Sequence, residues 1–372
     1  MLPMSTAAPP EPTTAPSSGS GPTFVTSDKV IIGGGLLVVV VAGLAHYGNW
    51  NSVVAFIVAA AAVALLASLV GRSVEQLGDR FGPGATGVLQ SALGNLPELF
   101  IAFFALRAGL VDVVRAAIVG SILANLLLVL GLAFLVGGLK HGTQKLGSER
   151  ARTITVLMLL SVTAMAIPSL AHYVHSPAGG HEKTFSLIVS AILLGLFALS
   201  LPFSLSKSSN DDEVHGEAPR WPIALAVGLL AGASVLAAFV SDWFVTALGP
   251  AMDAAHISDA FAGLVIVAIA GNAIENIVGV QLAAKNQSEY AFSVVLNSPV
   301  QIALVLAPVL VIASQVFGLA SLTLVFSPML VASLLLAVVL AAFISFDGES
   351  TWLEGASLIA LYGVVATAFW WG

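Results

Sequence analysis

The sequence has no cysteine and very little charge: of 372 residues, 13 are Lys or Arg and 20 are Asp or Glu, 9% in all. The first absence excludes disulfides, thiolate metal sites and catalytic thiols. The second excludes a soluble globular chain, in which about a quarter of the residues are charged. What charge exists is gathered between long apolar runs; 58% of the residues are hydrophobic and the mean hydropathy is +0.99. An all-α polytopic membrane protein fits this composition, with the lipid bilayer as its medium. Most carboxylates behind the net charge of -7 lie in a tail and short loops, and no basic stripe points to nucleic acid.

Residues 1–28 are rich in Pro, Ser, Thr and Ala without periodicity and read as a disordered tail. They lack the basic start and apolar run of a signal peptide. Eleven apolar spans follow: Val30–Ala45, Asn51–Val70, Gly84–Ala108, Val113–Leu139, Thr153–Ala171, Phe185–Leu205, Pro222–Leu248, Asp259–Ala284, Tyr290–Phe317, Leu324–Phe346 and Trp352–Trp370. Loop charge tests the count, because Lys and Arg favour the cytoplasmic side. Ten basic residues, Lys29, Arg72, Arg80, Lys140, Lys145, Arg150, Arg152, Lys207, Arg220 and Lys285, share the tail's side, against Arg107, Arg115 and Lys183 on the other. The expectation is therefore a cytoplasmic N-terminus and an external C-terminus in a bacterial-type plasma membrane.

Two motifs repeat. Gly94-Asn95-Leu96-Pro97-Glu98 and Gly271-Asn272-Ala273-Ile274-Glu275 each lie inside an apolar span. A charged side chain at the centre of a membrane helix costs about 2.5 to 3.5 kcal/mol even on the lenient insertion scale, so such a group marks an ion or proton pathway. A shift of 177 residues also places Asp112 on Glu289 and Ser121 on Ser298 without a gap. The third span carries Glu98 and the eighth carries Glu275. An odd number of crossings separates them, so the second copy is expected to be inverted, as in many secondary transporters.

The spacing makes chemical sense. Asn95 and Glu98 are three residues apart, as are Asn272 and Glu275, so amide and carboxylate share a helix face. Pro97 has no N–H for the carbonyl of Leu93, which predicts a kink and a free oxygen; Ile274 removes that feature from the second copy. Carboxylate, amide and carbonyl oxygens are hard ligands of the kind calcium takes six to eight at a time. The candidate metal and proton-coupling groups are Glu98 and Glu275, with Asn95 and Asn272 as ligands or as interhelical glue. Leu93, Gly94, Pro97, Ser121, Asn125, Gly271, Asn276, Ser298 and Gln301 are candidates to line the same cavity, with packing or helix bonding as the open alternative.

With Gly120-Ser121-Ile122-Leu123-Ala124-Asn125 following the first motif, the chain resembles the cation/proton exchanger branch of the calcium/cation antiporter superfamily. The resemblance implies one leading helix (29–46) and two inverted five-helix repeats (51–206 and 220–372). It also implies an acidic linker between them, here residues 207–219 with Asp211, Asp212, Glu213 and Glu217. The Asn after Gly in both motifs is similar to the proton-coupled members. Two departures stand out: Asn276 replaces the histidine usual after the second glutamate, and Asn297-Ser298-Pro299-Val300-Gln301 replaces Gly-Ser-Ala-Thr-Gln.

The expected function is a secondary antiporter exchanging Ca2+ or a similar divalent cation for H+. Two ionised glutamates are neutralised by one divalent cation or by two protons, and an empty, doubly charged site is costly in low dielectric. Inorganic cations are the partners, with no cofactor beyond the transported ions. A sodium-coupled or monovalent cation/proton exchanger on the same scaffold is the alternative; a channel is less favoured. An enzyme is not expected, because no intramembrane His-rich, Ser/Lys or paired-Asp pattern accompanies the glutamates. The absence of native cysteine makes the topology testable: single cysteines at positions Ser148 and Ala178 should label from opposite sides of the membrane. Labelling from one side would overturn the helix count.

Overall fold

A computed structural model describes residues 23–78, 89, 93–146, 149–207 and 219–371, with side chains throughout except at 149–151, 202–207, 273–276 and 345. The N-terminal 22 residues and the acidic positions 211, 212, 213 and 217 lie outside this set. The fold is helical: α1 Thr26–Tyr47, α2 Ser52–Gly78, α3 Leu96–Arg107, α4 Val111–His141, α5 Glu149–Tyr173 and α6 Glu182–Lys207. Then come α7 Ile223–Ala255, α8 Asp259–Gly271, α9 Ala273–Ala284, α10 Ser288–Val316, α11 Pro328–Asp347 and α12 Trp352–Phe369. Among the described residues, eight helices are long and apolar enough to cross a membrane. The 22 residues of α1 span about 33 Å at 1.5 Å per residue, close to the thickness of the hydrocarbon layer.

Two expected spans are not continuous helices. The expected span Asp259–Ala284 is divided at Asn272, and the first motif breaks in the same way at Asn95. The two asparagines have nearly the same backbone, φ −91°, ψ 15° at Asn95 and φ −92°, ψ 21° at Asn272, in the sparsely populated bridge region. This corrects the expectation of a proline kink. Pro97 sits in the first turn of a new helix, where its missing N–H costs nothing, and the second copy breaks equally well with Ile274 in its place. The common residue at both breaks is Asn. Its Nδ2 at position 272 donates to the carbonyl of Ala268 at 2.9 Å, beside the backbone bond from its own N–H to the same oxygen at 3.1 Å.

The 177-residue offset holds at the level of backbone. The bounds of α3 map onto those of α9, and the start of α4 maps onto that of α10. Both α4 and α10 widen into a π-helical stretch, at Ala124–Val129 and Ile302–Leu306, ending at corresponding positions. Such stretches often accompany functional sites.

Packing concentrates where small residues allow helices to meet. Among the described residues α2 and α7 share the largest interface between helices, and the first half of α4 lies against α8 where it widens into a π-helical stretch at Ala262–Val267. At that second contact Gly120 lies against the backbone of Leu264, and Gly263 against the carbonyl of Val113; a Cβ at either glycine would collide with backbone. Glycine here lets two helices approach as membrane interfaces require.

Contacts between helix ends pair loops that an alternating chain would place on the same side. At one end β1 (Gln144–Lys145) pairs antiparallel with β2 (Glu349–Ser350), and His141 Nε2 donates to the Ala284 carbonyl at 3.1 Å. Gln76 Oε1 accepts from the backbone N–H of Arg220 and Trp221 at 2.8 and 3.1 Å. Asp28, 1% exposed, pairs with Arg72 and lies 3.9 Å from Arg220. At the other set of ends Arg115 donates to Thr323 at 3.0 Å, Ser258 donates to the Phe369 carbonyl at 2.6 Å, and the Phe103 and Phe317 rings meet edge to face. The helix begins at Thr26, inside the segment expected as tail, because Asp28 is anchored by those arginines.

Candidate functional site

The two helix breaks deliver their side chains to one buried cluster. Glu98 stands in the first turn of α3, 7% exposed. Its Oε1 accepts from Asn272 Nδ2 at 2.5 Å and from Ser121 Oγ at 2.9 Å, so the glutamate of the first motif is bound by the asparagine of the second. Asn272 Nδ2 also lies 2.9 Å from Ser121 Oγ. Its Oδ1 faces the other way, accepting from Asn125 Nδ2 at 3.0 Å and from Ser298 Oγ at 3.4 Å.

Asn125 fixes that orientation. It is fully buried at the start of the π-helical stretch of α4, and its Nδ2 lies 2.9 Å from the Ser121 carbonyl and 3.2 Å from Ser298 Oγ. With donors on one side of Asn272 and a carboxylate on the other, only one setting of the Asn272 amide satisfies both. The Oδ1 of Asn125 has no hydrogen-bond partner among the described residues.

Asn95 takes a different partner, donating to Gln301 Oε1 at 3.3 Å, with both residues buried. The structure thus brings Glu98, Asn272, Ser121, Asn125 and Ser298 into one network and joins Asn95 to Gln301 across the repeats. Gly94 and Pro97 are buried beside them and Leu93 is partly buried. Gly271 is required for a specific reason: a Cβ there would collide with Cγ of Glu98 and lie 3.0 Å from its Oε1. The side chains of Glu275 and Asn276 lie outside the described residues, although the backbone of both belongs to the first turn of α9.

This geometry meets the comparisons with known proteins. A model of the sodium/calcium exchanger protein family matches residues 51–206 and 225–371. The chain belongs to that family. A Ca(2+)/H(+) antiporter of Aphanothece halophytica is 34% identical over 348 residues, covering 88% of this chain and 92% of the relative. The Ca(2+)/H(+) antiporter ChaA of Bacillus subtilis is 35% identical over 332 residues, covering 86% and 93%. Among solved structures, native YfkE superposes with a TM-score of 0.77 at 34% identity, over 92% of this chain and 98% of that one. These relatives place the chain in the cation/proton branch of the exchanger family.

Sequence reasoning named every described member of the network. It did not foresee the pairing of Asn272 with Glu98 and Asn125, since residues 174 and 147 positions apart in the chain carry no local signal of contact. Nor did it find the buried Asp28, whose signal was an acid just ahead of the first apolar run with Arg72 and Arg220 on the same side of the expected topology. Among the described residues there is no group of three or more His, Asp or Glu that could hold a metal by itself. At the end of α5, His172 pairs with Glu182 at 2.7 Å.

The role of Gly271 gives a direct test. Gly271→Ala would displace the Glu98 carboxylate, and a misplacement of about 1 Å in a preorganised site costs up to about 100-fold. Transport in vesicles should fall by roughly 10- to 100-fold, while Gly228→Ala, where a Cβ meets open space, should leave it unchanged. Equal activity of the two variants would show that the contact with Glu98 is incidental.

Proposed function

We propose that this protein is a secondary antiporter that exchanges Ca2+ for H+ by alternating access, with Glu98 and Glu275 forming one site. The observation that carries the reading is the bond from Asn272 of the second motif to Glu98 of the first, which makes two distant motifs parts of a single buried cluster. The relatives named above as Ca(2+)/H(+) antiporters support the choice of ions.

In this reading the chain has a leading helix and two inverted five-helix repeats, eleven crossings in all. The shared helix bounds at an offset of 177, the matching π-helical stretches and the same-side loop contacts support that layout. The excess of basic residues on one set of loops supports a cytoplasmic N-terminus and an external C-terminus. The residues ahead of α1 are a tail, and those between α6 and α7 an acidic linker.

The charges set the coupling. One divalent cation or two protons neutralise two carboxylates, whereas the empty, doubly charged site is costly in a low-dielectric interior. The carrier therefore crosses loaded, and competition between the ions enforces exchange. The observed setting of Asn272, with its NH2 on Glu98 Oε1, occupies the carboxylate with a donor and suits a form without cation. Loading Ca2+ requires the amide to yield, which frees Glu98 and lets Oδ1 of Asn272 and Asn125 join the oxygen ligands. No cofactor takes part, and the chemistry is transport rather than catalysis.

Calcium and pH fluxes measured together in proteoliposomes test the reading. Glu98→Gln and Glu275→Gln should each abolish coupled flux with the fold intact. The double variant should be no worse than either single one, because groups acting as a unit are strongly non-additive. Glu→Asp at either position should leave weak activity. Near wild-type exchange in either Gln variant would reduce that carboxylate to a structural role.

A further inference from the structure

A groove of about 510 Å³ runs between α5 and α6, away from the glutamate cluster. Its volume falls within the range of roughly 300 to 1,000 Å³ typical of clefts that hold small ligands. Val156, Leu157 and Leu160 of α5 and Leu196 and Leu199 of α6 form its walls. Leu160 and Leu199 are 59% and 77% exposed, so the groove opens to the surroundings of the bundle.

One end of the groove is polar. Arg152 lies there beside Thr153 and Ser200, and among the described residues no carboxylate forms an ion pair with Arg152. This is the end of α5 that follows Lys140, in the last turn of α4, and Lys145 of β1. From Arg152 to Leu160 the helix rises about 12 Å. An exposed guanidinium at the mouth of a leucine-lined slot of that length matches an amphiphile with an anionic head and an alkyl tail. Guanidinium binds phosphate through two parallel N–H donors, and basic pockets between membrane helices select anionic headgroups.

We propose that this groove is a binding site for an anionic phospholipid, its phosphate on Arg152 and one acyl chain along the leucines. A second copy of the chain fits less well. A helix laid there would have to cover the guanidinium of Arg152, which pairs with no carboxylate among the described residues. The site is independent of the exchange reaction, and its test does not depend on it.

The full-length protein, purified in detergent and offered equimolar dioleoyl phosphatidylglycerol and dioleoyl phosphatidylcholine, is examined by native mass spectrometry. The wild type should retain phosphatidylglycerol in preference. Arg152→Gln, at an exposed position, should lower the ratio of phosphatidylglycerol to phosphatidylcholine by about fivefold, the factor expected from one basic residue near a membrane surface. Leu160→Trp, which fills the groove, should lower retention of both lipids. Equal retention of the two lipids by the wild type, or an unchanged ratio in Arg152→Gln, would overturn the proposal. So would a Leu160→Trp variant that changes oligomeric mass while keeping its lipid, which would mark the groove as a contact between copies.

Discussion

The contact on which the rest of the structure depends is the hydrogen bond from Asn272 to Glu98. A carboxylate in a membrane interior must be neutralised, solvated by protein groups or paired. The fold meets that demand with two helices, α3 and α9, that both begin just after Gly-Asn, so that these ends meet instead of passing one another. The other unusual features serve that meeting. Gly271 leaves room for Glu98, Gly120 and Gly263 bring α4 and α8 together, and the π-helical start at Ala124 sets Asn125 against Asn272. Removing any of these would separate a donor from an acceptor in a place where water does not readily substitute.

The network also sets a direction for the amide. Asn125 and Ser298 hold the oxygen of Asn272, which leaves its nitrogen for the carboxylate. Asn125 has no counterpart in the second half, where the matching position is Ile302. The two halves are alike in backbone and unlike in hydrogen bonding: Asn272 is bound to Glu98 and Asn95 to Gln301.

Much of this was legible in the sequence, and the reasons differ by feature. The apolar spans could be read because hydrophobic thickness and helix rise fix their length. The duplicated Gly-Asn motif could be read because ionisable residues are so rare in such spans. The breaks were misread at Pro97: the sequence pattern suggested a kink, whereas α3 and α9 begin afresh after Asn95 and Asn272 whether or not proline follows. The π-helical stretches left no trace, since Ala124–Val129 and Ile302–Leu306 look like any apolar helix. Asp28 was assigned to the tail because its arginine partners lie 44 and 192 residues further along the chain. Such pairings depend on tertiary packing that periodicity does not encode.

The central claim is that cation and protons compete for the same pair of carboxylates. The most direct measurement is the number of protons released as Ca2+ binds to the purified wild-type protein, obtained by calorimetric titration in buffers of different ionisation enthalpy. At a pH where the site is protonated, about two protons should leave for each Ca2+ bound, as the neutralisation of two carboxylates by one divalent cation requires. Saturable Ca2+ binding with no proton release, at any pH at which the protein exchanges the ions, would contradict the account.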